Sequence, residues 1–315
     1  MIAFGPVPSR RLGRSLGINN IPPKHCTYSC VYCQVGRTTN MQVRRRKFYP
    51  IKEILANVEE KVDLSQRSRE PIDYLTFVPD GEPTLDIDLG REIDGLKDLG
   101  IRIAVITNAS LLPYEDVRED LFRTDLVSLK VDSVEEPVWR RINRPHGALD
   151  FSSVLKGVVE FAQEYKGRLL TETMLVRDLN DNDQDVRKIA DFLAELNPDC
   201  AYLSVPIRPP AEHWAHAPSE ATINRAYQIM NGQLGNVEYL VGYEGNAFAF
   251  TGNAKDDLLS ITAVHPMREE AVREFLAKAR ADWSIVNWLL DQNELAEVEH
   301  DGKKFYLRRF KTSRR

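Results

Sequence analysis

The stretch Cys26-Thr27-Tyr28-Ser29-Cys30-Val31-Tyr32-Cys33 places three thiols within eight residues. Thiolates at such short intervals are ligands for iron–sulfur clusters or for zinc. A four-iron cluster held by protein alone takes four thiolates, so three leave one iron open to another ligand. A closed zinc site needs a fourth ligand, which only His25 or the distant Cys200 would supply. The stretch therefore predicts a metal centre, and an open-iron cluster is favoured over zinc.

The composition is that of an ordinary globular chain. Its 315 residues are 43% apolar and 28% charged, which predicts one large α/β unit with a smaller one beside it. No apolar run reaches the length of a membrane span, and residues 1–6 do not resemble a signal peptide, so we expect a cytoplasmic protein with no membrane partner. With only four cysteines, three of them clustered, the pattern indicates metal binding rather than disulfides.

The net charge of −5 argues against a bulk nucleic-acid binder, but the basic residues are grouped. The groups are Arg10, Arg11 and Arg14; Arg44, Arg45, Arg46 and Lys47; and Lys303, Lys304, Arg308, Arg309, Lys311, Arg314 and Arg315. Each group is either a solvated face or a surface for an anionic partner.

Strand and helix patterns alternate through most of the chain. After an irregular lead-in over residues 1–13, strands are predicted at 15–21, 73–78, 102–107, 126–131, 169–176 and 201–205. Helices are predicted between and after them, at 51–62, 88–99, 114–122, 151–165, 184–196 and 220–230. Six such units predict an α/β fold, a partial (β/α)6 TIM-like barrel, whose chemistry lies at the carboxyl ends of the strands. The cysteine stretch follows the first strand, where this rule puts a site.

A different unit is predicted at the carboxyl end. Residues 237–243 and 247–250 read as a hairpin that closes a barrel domain of residues 1–252. Residues 253–315 then show a helix over 266–279, a second helix capped by Asp282 with Trp288 among its buried positions, and a hairpin turning at Asp301-Gly302. These features predict a small winged-helix-like α+β module, although the third helix of such a module is not evident.

Polar residues gather at the ends of the predicted strands. After the second strand comes Val78-Pro79-Asp80-Gly81-Glu82-Pro83-Thr84, where Gly81 permits close approach of a ligand and Glu82 can accept hydrogen bonds from an ammonium group. A simple turn is the alternative. Asn108 ends the third strand, and Ser128, Lys130 and Asp132 alternate along the fourth, so all three are expected to face the barrel interior.

Three further features have plain structural alternatives. Lys130 and Asp132 could serve only as an interior salt bridge, and Glu172 in the fifth strand has the same two interpretations. Residues 140–146 form a polar, arginine-rich segment expected as a loop suited to carboxylate or phosphate. Cys200 is expected to be an inert buried thiol.

The cysteine spacing resembles that of the radical S-adenosylmethionine (SAM) superfamily. There the open iron of a [4Fe–4S] cluster, here implied at Cys26, Cys30 and Cys33, chelates the amino and carboxylate groups of SAM. Gly81-Glu82-Pro83 resembles the motif that takes the amino group, with Asp80 in place of a second glycine. The resemblance implies cofactor contacts for Tyr32 (against the adenine), Gly81, Glu82, Asn108 and Ser128, and cofactor or substrate contacts for Lys130 and Asp132.

The resemblance also implies a reaction. An external one-electron donor, such as a flavodoxin- or ferredoxin-like protein, would drive reductive cleavage of SAM to a 5′-deoxyadenosyl radical, which abstracts hydrogen from a substrate in an oxygen-sensitive enzyme. Residues 5–13, 26–37 and 258–266 resemble an iron–sulfur oxidoreductase branch loosely related to wyosine-base synthases. The chain lacks the extra cysteines that those synthases use for a second cluster, which separates it from their specific reaction.

Three classes of partner remain open. RNA, as in tRNA modification, is favoured because basic groups flank the cysteines and the last hairpin. A peptide or protein substrate is the runner-up, since a winged-helix-like module can hold a peptide on its hairpin. A metal-stabilised nucleic-acid-binding regulator is the remote alternative, and it leaves the barrel unexplained.

Overall fold

The computed structural model describes residues 2–240, 248–264, 266–300 and 302–309. Its strands are β1 (Ala3–Ser9), β2 (Gly13–Ile18), β3 (His25–Cys26), β4 (Asn40–Met41), β5 (Tyr74–Phe77), β6 (Arg102–Thr107), β7 (Leu126–Lys130), β8 (Arg168–Met174), β9 (Cys200–Ser204), β10 (Val237–Leu240), β11 (Met267–Arg268), β12 (Leu295–His300) and β13 (Lys303–Arg308). Its α-helices are α1 (Ile51–Arg67), α2 (Leu89–Leu96), α3 (Glu115–Leu121), α4 (Glu136–Asn143), α5 (Phe151–Glu164), α6 (Asp183–Leu196), α7 (Glu220–Gln233), α8 (Ala254–Val264), α9 (Glu269–Lys278) and α10 (Ser284–Asp291).

The main sheet has eight strands in the order β1-β2-β5-β6-β7-β8-β9-β10. Every neighbouring pair is parallel except β1 with β2. The sheet is curled, and Arg10 in the turn before β2 donates a hydrogen bond across its open side to the carbonyl of Tyr239 in β10 at 3.3 Å. The six predicted strands are β2 and β5 to β9, and the predicted partial barrel is confirmed.

Apolar side chains fill the amino-terminal half of the barrel interior. They are Leu12, Tyr74, Ala104, Leu126, Leu170, Cys200 and Tyr202. Cys200 is fully buried among them, as predicted for an inert thiol. The helices cover the outer face of the sheet; α1, for example, buries the stripe Ile54, Val58 and Val62. A ligand can therefore enter the barrel only at the carboxyl ends of its strands.

Three local predictions are wrong. The predicted irregular lead-in contains the edge strand β1, which bonds to β2 on one side only and so tolerates its prolines. The segment predicted to begin a hairpin is β10, a parallel partner of β9, while residues 241–247 lie outside the described ranges. Residues 140–143 of the predicted polar loop belong to α4, which ends at Arg144 in a left-handed conformation.

The carboxyl-terminal unit has the element order α8-β11-α9-α10-β12-β13, with the sheet order β11-β13-β12. This helix–strand–helix–helix–hairpin order is that of a winged helix, and α8 is the helix that the sequence did not reveal. Trp288 is 44% exposed rather than buried, with the Lys255 ammonium 3.8 Å from its ring centre. Asp301 of the predicted turn is outside the described residues. The division of the chain at residue 252 stays a prediction.

Within the described ranges, no helix is both long and apolar enough to cross a lipid bilayer.

Candidate active site at the carboxyl ends of the barrel strands

A cavity of about 310 Å³ opens at the carboxyl ends of the strands. Its walls come from the cysteine stretch, from residues 78–82 after β5, from the ends of β6, β7 and β8, and from residues 204–208. The predicted site residues that line it are Cys26, Cys30, Tyr32, Cys33, Gly81, Glu82, Asn108 and Lys130. Ser128 and Asp132 are not among the lining residues. One cavity therefore brings together residues from four separate predicted motifs.

The end of helix α4 holds the cysteine stretch in place. The backbone N–H of Ser29 donates to the Asn143 carbonyl at 3.0 Å, and that of Val31 donates to the Ile142 carbonyl at 2.9 Å. These carbonyls belong to the last turn of α4, where no partner exists within the helix itself. The Asn143 side-chain amide also lies 3.4 Å from the Cys30 Sγ. A helix that sequence analysis read as a loop thus supports the metal-binding stretch.

The setting of the three thiols suits a cationic metal group. Burial raises the pKa of Cys26, Cys30 and Cys33, and the pKa of Cys30 reaches about 12 with help from the Asp132 carboxylate. Thiolates at this place need a compensating positive charge, and a bound metal deprotonates a coordinating thiol. The residues present therefore fit the predicted cluster.

Neither predicted fourth zinc ligand reaches the cavity. The His25 Nδ1 lies 3.2 Å from the carbonyls of Pro22 and Pro23, and its Nε2 lies 2.6 Å from the Asn40 amide. Cys200 lies in the apolar half of the barrel. Among the described residues, no group of three or more His, Cys, Asp or Glu side chains is arranged to hold a single metal ion. The donor set matches an open-iron cluster better than a closed zinc site.

The Glu82 carboxylate is buried and fixed by hydrogen bonds. Its Oε1 accepts from the Thr84 N–H (3.1 Å) and from the hydroxyls of Thr84 and Thr107 (both 2.6 Å). Its Oε2 accepts from the Asn108 N–H at 2.7 Å. Burial raises the pKa of Glu82, and these donors oppose the increase. The carboxylate is thus held in one orientation on the cavity wall, ready to accept from a cationic donor.

Gly81 and Asn108 connect the Glu82 segment to the cysteine stretch. A Cβ on residue 81 would lie 1.9 Å from the His25 carbonyl oxygen, so only glycine fits there. The Asn108 amide donates to the Thr27 hydroxyl at 2.8 Å and lies 3.5 Å from the Cys26 Sγ. Gly81 was expected to permit the close approach of a ligand, but the group that approaches it in the structure is the backbone carbonyl of His25.

A buried ion cluster forms the floor of the cavity. The Glu172 carboxylate accepts from the Lys130 ammonium at 2.9 Å, from the Ser204 hydroxyl at 3.0 Å and from the Arg11 guanidinium. Burial alone would raise the pKa of Glu172, but the two cations hold it well below its usual range. Arg11 also lies 3.4 Å from the Ser128 hydroxyl, which places Ser128 beneath this cluster. Lys130 thus pairs with Glu172.

Asp132 positions the Tyr32 ring instead of facing the cavity. Its carboxylate accepts from the Tyr32 hydroxyl, from the Asn143 amide at 2.7 Å and from the Met174 N–H at 2.9 Å. The Lys130 ammonium lies 4.8 Å from the centre of the same ring. Tyr32, within the cysteine stretch, is therefore held against the ion cluster.

Three contributors were missed by sequence reasoning. Arg11 lies in the segment read as irregular, and Asn143 lies in the segment read as a loop. Asp80, noted only as a departure from a family motif, lines the cavity with its Oδ1 unbonded within the described part of the chain. Burial raises the pKa of Asp80 to about 7. The signal available for Asp80 was its place beside Glu82; Arg11 stood out only as a member of the first basic group, and nothing local indicated its pairing with Glu172.

Much of the predicted basic charge is used within the protein. Arg14 pairs with Glu70, and Arg45 is clamped between Asp116 and Asp120. Further pairs are Lys47–Asp88 and Lys304–Glu297, while Lys311, Arg314 and Arg315 lie outside the described residues. These groups are therefore weaker grounds for an anionic partner than the sequence indicated.

Known proteins resemble this chain over most of its length. The family model described as "Radical SAM superfamily" matches residues 20–193. A UPF0026 protein of Methanocaldococcus jannaschii is 49% identical over 99% of this chain and 97% of its own length. A probable dual-specificity RNA methyltransferase RlmN of Endomicrobium trichonymphae is 23% identical, covering 70% of this chain and 64% of its own. The structure of TYW1 with a lysine-pyruvate adduct bound superposes with a TM-score of 0.55 at 17% identity, covering 70% of this chain and 74% of that one.

Proposed function

Because this chain belongs to the radical SAM superfamily and is an enzyme of that class, we propose that it abstracts a hydrogen atom from an RNA substrate, with tRNA modification favoured. The observation that carries this proposal is the cavity that three half-buried thiols line together with the fixed Glu82 carboxylate and the ion cluster on its floor. When bound, a [4Fe–4S] cluster and SAM supply the electron transfer and the 5′-deoxyadenosyl radical.

Each wall of the cavity has a role in this proposal. Cys26, Cys30 and Cys33 hold the cluster, and Glu82 accepts hydrogen bonds from the methionyl ammonium of SAM. The face of Tyr32 lies against the adenine. Asn108 lies at the junction between the two walls, where its amide binds the Thr27 hydroxyl, and it would contact the cofactor from there.

Of the residues at the cavity floor, one contacts the ligand directly in this proposal and two act through other side chains. Lys130 offers its ammonium to the carboxylate of SAM or to the substrate. Ser128 and Asp132 act as positioning residues, through Arg11 and through the Tyr32 hydroxyl. The apolar half of the barrel excludes water from below, which protects a reactive intermediate from side reactions.

The electron comes from outside the chain in this proposal. Three of the four cysteines serve the cluster, and Cys200 lies in the apolar interior, so the chain has no thiol set for a second cluster. A flavodoxin- or ferredoxin-like donor supplies one electron at a time. RNA is the favoured substrate because a relative of this chain is named a probable RNA methyltransferase and because the cationic side chains of Lys24 and Arg208 are among those that line the cavity.

The test is anaerobic reconstitution with iron and sulfide, followed by SAM and dithionite with and without unmodified tRNA. We expect about four irons per chain and 5′-deoxyadenosine whose yield rises when tRNA is added. Replacing the three cluster cysteines by alanine should abolish both. Glu82→Gln should keep the iron and lose most of the SAM cleavage, whereas the exposed Glu136→Gln should match the wild type.

Two outcomes would contradict the proposal. A clean preparation that retains zinc and loses iron would refute the cluster assignment. Iron binding and SAM cleavage that respond to a peptide mixture but not to RNA would refute the substrate class while leaving the enzyme class intact.

A further inference from the structure

An exposed tryptophan lies in a chain segment that three arginines contact. Trp214 is 49% exposed, and the Arg144 guanidinium lies 5.9 Å from its ring centre. Arg37 and Arg177 reach the same segment of chain, as described below. We call Arg37, Arg144, Arg177 and Trp214 the rim surface.

The rim surface is rigidly attached to the cysteine stretch. The Glu212 N–H donates to the Val31 carbonyl at 2.9 Å, which places residues 212–216 over the outer side of the loop between two cluster cysteines. Ala215, next to Trp214, is fully buried in a cluster with Val31. The His216 N–H donates to the Trp214 carbonyl at 3.0 Å. The indole is thus held outward by a well-packed turn and is not part of a loose loop.

The arginines are held in place but keep donors for a ligand. Arg37 binds Glu212 through two hydrogen bonds of 2.8 and 2.9 Å, and Arg144 adds a third at 2.5 Å. The Arg37 side chain is nevertheless 70% exposed. Arg177 donates from Nε to the Ala217 carbonyl at 3.0 Å, and its own N–H reaches the His216 carbonyl. Arg37 and Arg144 share the single carboxylate of Glu212, which leaves one positive charge in excess there, whereas Arg177 also lies within electrostatic reach of Asp181.

We propose that the rim surface binds an unpaired stretch of RNA, with a base stacked on Trp214 and the neighbouring phosphates held by Arg37, Arg144 and Arg177. This inference rests on the proposed function, and it specifies the place where RNA docks. Exposed aromatic rings beside cationic groups bind single-stranded nucleic acid, because every base has a face for stacking and every linkage carries a phosphate. An acidic protein would use the arginines but has no need of an exposed indole.

The segment also leads into the cavity. Residues 204–208 line the cavity wall, and Glu212 and Trp214 follow four and six residues later in the chain. Arg37 likewise lies between Gly36 and Thr38, which both line the cavity, so RNA held by Arg37 would lie within one residue of the cavity wall. The two sites together explain how a large substrate could present one nucleotide to a cavity of about 310 Å³.

The test measures binding of a fluorescein-labelled oligouridine of about 12 nucleotides, within the usual range of such sites, to the anaerobically reconstituted holoenzyme. Stacking contributes about 1–3 kcal/mol per base, so Trp214→Ala should weaken binding by about 5- to 150-fold. Trp214→Phe should recover most of the affinity. Trp288→Ala removes an equally exposed tryptophan from the carboxyl-terminal unit and should leave affinity unchanged.

Salt dependence tests the arginines separately. A lost phosphate contact lowers the slope of log affinity against log salt by about 0.7 for single strands, which is the change expected for Arg177→Gln. Polyglutamate of similar length serves as an anion without bases and should compete poorly with the oligonucleotide.

Every other result overturns the inference. It fails if the wild type shows no saturable binding, if Trp214→Ala and Trp288→Ala bind alike, or if polyglutamate competes equally well. The last result would indicate an acidic protein, such as an electron donor, as the occupant. If the enzyme modifies tRNA but Trp214→Ala does not weaken RNA binding, the docking site is refuted and the proposed function stands. If RNA binding depends on Trp214 but no tRNA is modified, the docking site stands and the proposed function is refuted.

Discussion

Replacing Glu172 by glutamine should destabilise the protein far more than its single negative charge would suggest. The side chain keeps its size and one carbonyl oxygen, but the Arg11 guanidinium and the Lys130 ammonium lose the carboxylate that they share. The side chains of Glu172, Arg11 and Lys130 are only 10%, 14% and 16% exposed, so water cannot replace the lost carboxylate. The variant therefore leaves two cations close together in the barrel.

The size of the effect follows from geometry. At an effective dielectric constant of about 20, unit charges 2.9 Å apart attract each other by about 6 kcal/mol. Desolvation of the ions offsets part of this attraction, and removal of one partner of a buried pair typically costs about 3–5 kcal/mol. We expect a loss of that size in the free energy of unfolding.

Glu136 provides the matched control. It also pairs with an arginine, Arg140, but both side chains are about half exposed and sit four residues apart on α4. Pairs of this kind contribute about 0.3–0.5 kcal/mol. Urea unfolding at about pH 7, followed by far-UV circular dichroism, should separate Glu172→Gln clearly from Glu136→Gln. A difference below about 1 kcal/mol would refute the view that the ion cluster supports the fold.

The pH dependence gives a second check with a definite sign. The cations hold the pKa of Glu172 below its usual range. At a pH close to the ordinary pKa of a glutamate, Glu172 is therefore less protonated in the native chain than in the unfolded chain. The stabilisation is therefore complete above the unfolded pKa of about 4.3 and disappears as the pH falls through the native value. The stability gap between the wild type and Glu172→Gln should narrow below about pH 4. A gap that persists in acid would mean that lost packing, rather than charge, causes it.

Three further predictions concern single side chains. Gly81→Ala should lower the free energy of unfolding by about 1–3 kcal/mol through overpacking, because its Cβ would lie 1.9 Å from a carbonyl oxygen, whereas Gly147→Ala has nothing within 4 Å and should be neutral in the same urea titration. Glu92→Gln should flatten the pH dependence of the free energy of unfolding. Burial and a neighbouring aspartate raise the pKa of Glu92, so the native wild type keeps a proton that the unfolded chain loses. The stability of the wild type should therefore fall between about pH 5 and pH 8, and that of the variant should not. Asn143→Ala removes an N–H donor 3.4 Å from Cys30 Sγ and should make the reconstituted cluster harder to reduce; an unchanged midpoint in an EPR-monitored redox titration would contradict this.

The parallel strands were predictable because each is a short apolar run between turn residues and helices. The position of the cysteine stretch after β2 followed from the same pattern. The edge strand β1 was missed because its prolines argue against a central strand, and nothing local shows that this strand bonds on one side only. Helix α8 was missed because Leu258 to Thr262 are all buried, so it has little polar face to mark its period.

The site was predictable where its residues lie at strand ends and unpredictable where it depends on contacts between distant segments. Glu82 and Lys130 could be identified from position alone. The partnership of Arg11 with Glu172 joins residues 161 positions apart, and no periodicity records it.

The positions of the arginines show most clearly that the sequence alone does not record contacts between distant segments. Clusters of arginine in the sequence suggested where an anion binds, yet Arg14 and Arg45 are occupied by carboxylates of the protein itself. The rim surface takes Arg144 from the arginine-rich segment 140–146, but its other arginines, Arg37 and Arg177, and its tryptophan come from stretches with no basic run. The local density of positive charge therefore gives only part of the surface; the rest depends on which cations folding leaves exposed next to a group that can recognise the ligand.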